Sequence, residues 1–272
     1  MEKLQPNMDI FKSKQNCIAL AVGTLISVGH SATVSADLPP PSTQHLKLYL
    51  GAVGSISWPS LSDSIGINNG ANAPYPYNTD SYSVNSEPVS ALALQVGYEW
   101  QRKKPWFPAY SLGFQVAHYW LESIKGTITQ YALPQFKNYR YSWNLHSDAF
   151  TINSKVNVFQ YGSFSPFVNA GVGLAINRSN NFDETAFNGV TPRISPGFVN
   201  NTQYNISYNL GVGVDYFLTP KFSAILAYNY QNLGSMRSGN GLQTWSGDYL
   251  KIKHYQINML VLGIVCRLDS NH

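Results

Sequence analysis

Charge is what this chain lacks. Of its 272 residues only 12% are Asp, Glu, Lys or Arg, about half the roughly 25% usual in globular domains. Disordered segments are charge-rich and aromatic-poor, so disorder is excluded. Cysteine is nearly missing as well, with Cys17 and Cys266 at opposite ends. Long apolar runs are absent except for one near the N-terminus, residues 17–28. Spanning helices, which need about 20 predominantly apolar residues, are therefore excluded from the rest of the chain. No basic run exceeds Arg102-Lys103-Lys104, and without a basic patch there is no nucleic-acid footprint. The place of charge is taken by Asn, Ser, Gln, Gly and 18 Tyr, beside an ordinary 44% of apolar residues. A chain that avoids charge without being greasy fits strands with one polar and one apolar face.

The single apolar run is preceded by Lys12 and Lys14 and followed by Val34-Ser35-Ala36, a small-x-small pattern. This reads as a secretory signal peptide over residues 1–36, cut between Ala36 and Asp37. The stretch before Lys12 is long for an n-region, which makes Met8 an alternative start. Asp37 stands where a lipoprotein would carry Cys. Removal takes Lys3, Lys12, Lys14, Glu2 and Asp9, so the balance becomes 18 − 3 = 15 basic against 14 − 2 = 12 acidic residues, or +3. It also leaves Cys266 alone, so no intramolecular disulfide is expected.

Beyond residue 37 the dominant signal has period two. Tyr204, Ile206, Tyr208, Leu210, Val212, Val214 and Tyr216 alternate with Asn205, Ser207, Asn209, Gly211, Gly213 and Asp215. A helix would mix these sets, whereas a strand separates them. The pattern recurs to give eight strands at about 45–57, 89–101, 107–121, 148–160, 165–176, 204–218, 222–232 and 250–268. The last sets Tyr255, Ile257, Met259 and Val261 against His254, Gln256 and Asn258, then turns apolar on both faces, where its phase is not fixed.

Connections alternate in length. Short ones fall at 102–105, 161–165 and 219–221; long ones, rich in Asn, Ser, Gly and Pro, at about 59–87, 122–147, 177–203 and 233–249. Short periplasmic turns and long extracellular loops are the habit of outer-membrane barrels. The fold expected is thus all-β: an eight-stranded antiparallel up-and-down transmembrane barrel over 37–272. Trp58, Trp100, Trp106, Trp120, Trp143, Phe217, Tyr230 and Trp245 fall near strand ends and are expected to form its aromatic girdles.

Pro166-Phe-Val-Asn-Ala-Gly-Val-Gly-Leu-Ala175 and the run Leu210-Gly-Val-Gly-Val-Asp-Tyr-Phe-Leu-Thr-Pro-Lys-Phe-Ser-Ala-Ile-Leu-Ala-Tyr-Asn-Tyr230 resemble the opacity-protein-like, OmpA-like barrels of Gram-negative outer membranes. The resemblance implies location in the outer membrane, with its lipid and lipopolysaccharide and the barrel-assembly machinery as partners. It is carried mainly by strands five to seven. The chain departs from that family at its end, where Cys266-Arg267-Leu268 replaces the usual final aromatic.

Chemistry is sparse. His146-Ser147-Asp148 holds the residue types of a triad, but neighbours on a strand point to opposite faces and cannot form a relay. No His stands with carboxylates at a metal-ligand spacing, and Gly171-x-Gly173 and Gly211-x-Gly213 are not followed by a helix, so they are not phosphate loops. No catalytic, cofactor or metal residues are expected. Eight strands leave an interior that side chains fill. Alternation points Lys47, Glu99, Lys155 and Asp215 into it at similar depth, which predicts an ion-pair plug. The function expected is that of a surface protein with a structural or adhesive role, its long loops meeting host or matrix surfaces. A small ion-conducting pore is the alternative, and a lipid-modifying enzyme the third reading.

Overall fold

Eight long strands form where apolar and polar residues alternate: β1 (Leu46–Ser60), β2 (Val89–Gln101), β3 (Trp106–Trp120), β4 (Lys137–Phe159), β5 (Phe164–Ala186), β6 (Asn201–Phe217), β7 (Phe222–Asn232) and β8 (Gln256–Asp269). The computed structural model describes residues 46–269 apart from 62, 63, 86, 103, 121 and 122. The signal peptide expected over 1–36, with its cut at Ala36 and Asp37, lies outside the described residues. Each strand pairs antiparallel with its chain neighbour, and β8 returns to pair with β1, closing the ring. Closure leaves no sheet edge to be satisfied by lipid.

The ring is apolar outside and polar inside. Leu94 and Leu210 are 61% and 56% exposed, whereas Glu99 and Asp215 are 1% and 0%. Its short turns are built locally. The Oγ1 of Thr219 accepts from the N–H groups of Lys221 (3.2 Å) and Phe222 (3.0 Å), closing the turn around Pro220. Gly162 takes φ +57° in the two-residue turn between Tyr161 and Phe164, a conformation that side chains rarely adopt. Within the ring, a Cβ on Gly211 would stand 1.6 Å from Asn229 Oδ1, so this glycine makes room for lumen side chains.

Three features correct the sequence reading. The fourth and fifth strands, expected at 148–160 and 165–176, extend to Lys137–Phe159 and Phe164–Ala186. The long connections are not bare loops: Ser64–Asn68, Thr79–Ser83 and Ser123–Thr129 are strands that continue the sheet from the free outer half of β4. The last strand begins at Gln256, and Ile257, Met259 and Val261 turn inward while Leu260 and Leu262 face out. Pairing fixes that phase, because Leu260 lies opposite Ile56, an outward residue of β1.

The third feature reflects a general inversion. Along β4 the inward residues are Thr151, Asn153, Lys155 and Asn157 in one half, but Tyr139, Tyr141, Trp143 and Leu145 in the other. Where the ring leaves the membrane its outer face becomes polar and its inner face becomes an ordinary core. That core, with Tyr82, Ile128, Phe198, Trp143, Leu233 and Tyr255 at 0–1% exposure, caps the long-loop end of the ring. Cys266 is buried near the end of β8, and Cys17 lies outside the described residues.

Candidate functional site: the charged lumen and the head

Strand alternation brings three of the four expected lumen charges together. Lys155 Nζ on β4 lies 2.7 Å from Asp215 Oδ2 on β6. Glu99 on β2 receives 2.7 and 2.8 Å hydrogen bonds from Arg267 Nε and Gln101 Nε2. Arg267, on β8, joins the two halves: its Nη2 stands 3.9 Å from Asp215 Oδ2, and its Nη1 donates to Ser223 Oγ at 2.8 Å. Asn157 donates to the same Asp215 oxygen at 2.8 Å. Lys47 sits opposite Glu99 in the β1–β2 register, on the lumen-facing parity. Arg267 was missed because the phase of the last strand was open; stepping by twos from Ile257 reaches it.

Above this ionic floor lies an amide ladder. Gln95 donates to Gln115 (3.0 Å), Asn153 to Gln115 (3.3 Å) and Asn209 to Asn153 (2.8 Å). Gln95, Gln115 and Asn153 of the ladder, with Glu99 and Lys155, line a cavity of ≈ 60 Å³. Its size and polarity suit a few water molecules. Higher still, the apolar core of the head fills the ring.

The head has its own buried charge centre. Arg193, between β5 and β6, donates to Asp80 (2.7 Å) and to both oxygens of Glu184 (2.7 and 3.1 Å). Its guanidinium is held between the rings of Tyr139 (4.1 Å) and Trp245 (4.6 Å). Burial opposes its charge, but the two carboxylates more than offset this and raise its pKa above the ordinary guanidinium value. Burial also raises the Glu184 carboxyl above its ordinary value, against the two guanidinium bonds. One side chain thus ties together residues from three long connections, its own included, and two strand ends. Asn68 N–H adds a 2.9 Å bond to Asp248. The separation of Asp80, Glu184 and Arg193 in the chain gave no sequence signal for this centre.

The expected girdle divides. Trp58, Trp106 and Trp120 are 48%, 65% and 50% exposed on the outer face. Trp100 stacks on Tyr110 at 4.9 Å, and Tyr230 lies 6.2 Å from Tyr208, both on the same face. Trp143, Trp245 and Phe217 are corrected. Trp143 has inward parity and is buried, Trp245 belongs to the head core, and Phe217 lies inside beneath Arg267, 4.8 Å away. Of the triad-like residues, Ser147 points inward to Asn177 (2.7 Å) while Asp148 points outward to His118 (2.6 Å). Among the described residues no group of three His, Cys, Asp or Glu side chains is placed to hold a metal.

A closed antiparallel ring with an apolar belt outside and a polar interior defines a transmembrane β-barrel. The chain belongs to the family defined by the outer membrane protein beta-barrel domain, which matches residues 18–263, and it resides in the outer membrane of Gram-negative bacteria. No curated protein is similar to it in sequence. Among solved structures it is similar to OprG from Pseudomonas aeruginosa (15% identity, 83% of this chain and 97% of that one, TM-score 0.44). Neisserial surface protein A is another (13%, 81% and 97%, 0.43), as is Ail, the attachment invasion locus protein of Yersinia pestis (10%, 84% and 100%, 0.34). The fold rests on the closed ring and the family, and these distant likenesses add nothing on function.

Proposed function

We propose that the protein is a closed-lumen surface barrel that presents a folded extracellular head for contact with host or matrix surfaces. One observation carries this reading: the lumen is crossed at its periplasmic end by Arg267, Glu99, Asp215 and Lys155, and is packed with apolar side chains at the other. The charges act as a structural plug, since buried groups of this kind are tolerated when paired. The head is folded at the expense of loop freedom, and a rigid scaffold with long connections is where recognition resides. In this reading residues 1–36 act as a signal peptide cut before Asp37, barrel-assembly machinery inserts the chain, and lipopolysaccharide surrounds it. The role is non-enzymatic, with no cofactor.

Planar bilayers test the plug. Discrete conductance from wild type would overturn it and favour the small pore, for which the amide-lined cavity speaks. Binding of cells bearing the barrel to host surfaces, compared with cells whose head residues 64–83 are deleted, tests the contact role. Release of acyl chains from incubated lipid would favour an enzyme instead.

A further inference from the structure

The outer face of the barrel carries one ionisable cluster that neither the lumen nor the head uses. His118 on β3, Asp148 on β4 and Arg178 on β5 stand side by side. His118 Nδ1 lies 2.6 Å from Asp148 Oδ1, and Arg178 Nη1 donates to the other oxygen of the same carboxylate. All three share the parity of the lipid-facing residues next to them, Val116, Phe150 and Leu174, which are exposed. The outward apolar run thus gives way to charge at His118 and Asp148, which are paired in register, and one outward step later on β5 at Arg178. Charge on the lipid face is heavily penalised at the midplane and nearly neutral at the interface, so this row marks the edge of the outer leaflet. The exposed Trp120 ring packs edge-on to His118 at 4.9 Å, as expected of an amphipathic ring at that level.

The row is not self-satisfied. Asp148 engages one guanidinium nitrogen and one imidazole nitrogen, and the remaining donors of Arg178, whose side chain is 45% exposed, have no protein partner among the described residues. His146 lies opposite Arg178 in the register, and exposed Lys125 and Arg140 continue the same face outward. Against these stand Asp148 itself and Asp183, which accepts from Ser195. Cationic donors directly above an apolar wall fit an amphiphile with an anionic head.

We propose that His118, Asp148 and Arg178 form a binding site for a phosphate-bearing lipid of the outer leaflet. Arg178 and His118 hold the phosphate, Asp148 fixes their positions, Trp120 lies along the headgroup, and an acyl chain runs down Val116, Phe150 and Leu174. The site rests on the outer-membrane location alone and is independent of whether the head adheres or the lumen conducts.

The test titrates the folded full-length barrel, in a neutral detergent, with bisphosphorylated lipid A, reading tryptophan fluorescence. Saturable binding is expected, weakened about tenfold or more in Arg178→Gln and unchanged in Lys137→Gln, a distant exposed control. Lipid A stripped of phosphate should bind about as weakly as the variant. Should Arg178→Gln lose the heat-modifiable gel shift that reports folding, His118→Gln is read in its place, with the same loss expected. Equal binding by wild type and variant, equal binding of dephosphorylated lipid, or no saturable binding would each overturn the proposal. Displacement of lipid A by equimolar inorganic phosphate would make this a free-phosphate site and overturn the lipid assignment.

Discussion

Among the described residues two arginines each stand beside two carboxylates, Arg267 fully buried and Arg193 17% exposed, and they do different work. Arg267 reaches Glu99 and Asp215 from a strand, and both partners also sit on strands held by continuous ladders. Arg193 reaches Asp80 and Glu184 from a connecting segment and is gripped by two rings instead of by neighbouring backbone. The ladders would place the lumen charges even without Arg267; Arg193 adds a tie between connections that backbone pairing joins only in places. One pair neutralises a floor that already exists, and the other assembles a surface.

The comparison breaks most sharply at Arg267. Replacing it by Met leaves Glu99 buried without its guanidinium, and breaking a buried pair on one side destabilises by about 3–5 kcal/mol. Urea unfolding in lipid vesicles should show a loss of this size, and Glu99→Gln in the same chain should recover most of it. A single variant as stable as wild type would mean that Lys155 and Lys47 alone hold the floor.

Leu210→Arg sharpens the contrast between lipid and lumen. It places a charge on the outer face near mid-strand, at an expected loss of about 2–4 kcal/mol. Assembly at the wild-type level would contradict the lipid-facing parity on which every assignment above depends.

Arg193→Met separates head from barrel. Because the ring's ladders do not pass through Arg193, the unfolding transition of the barrel should stay in place. Protease should cut the connecting segment 187–200 about tenfold faster or more, a local opening change of ~1.4 kcal/mol or above. A shift of the whole transition would show that head and ring unfold as one unit.

Much of this was legible in the sequence. Alternation at Tyr204–Tyr216 and Ser90–Trp100 is unbroken, so both strands and the lumen positions of Glu99 and Asp215 follow from it. The head was hidden by the inversion of the same signal. Tyr139, Tyr141, Trp143 and Leu145 alternate as cleanly as any membrane strand, but their apolar set has inward parity, out of phase with the outward Phe150 and Ile152. A reader expecting apolar residues to face lipid sees an interruption where β4 continues. The same inversion at Ile257, Met259 and Val261 concealed Arg267. Short strands such as Ser64–Asn68, with only Ile65 and Ile67 to pack, become stable only beside β4 and carry little signal alone.

The smallest expected effect again concerns the head. Burial holds the Glu184 carboxyl above its ordinary 4.5 despite two bonds from Arg193. A carboxyl whose pKa is raised on folding binds its proton more tightly in the closed head than in the open one. Its contribution to closure is therefore full below the ordinary value and is lost as pH rises through the folded value. With Trp245 kept as the sole tryptophan, acrylamide quenching in vesicles should increase slightly from about pH 4 to about pH 7. The Glu184→Gln variant should show no such slope. Quenching that instead falls as pH rises would show that ionised Glu184 holds Arg193 more strongly than burial disfavours it, and would place the head's charge centre with the lumen's, where pairing dominates.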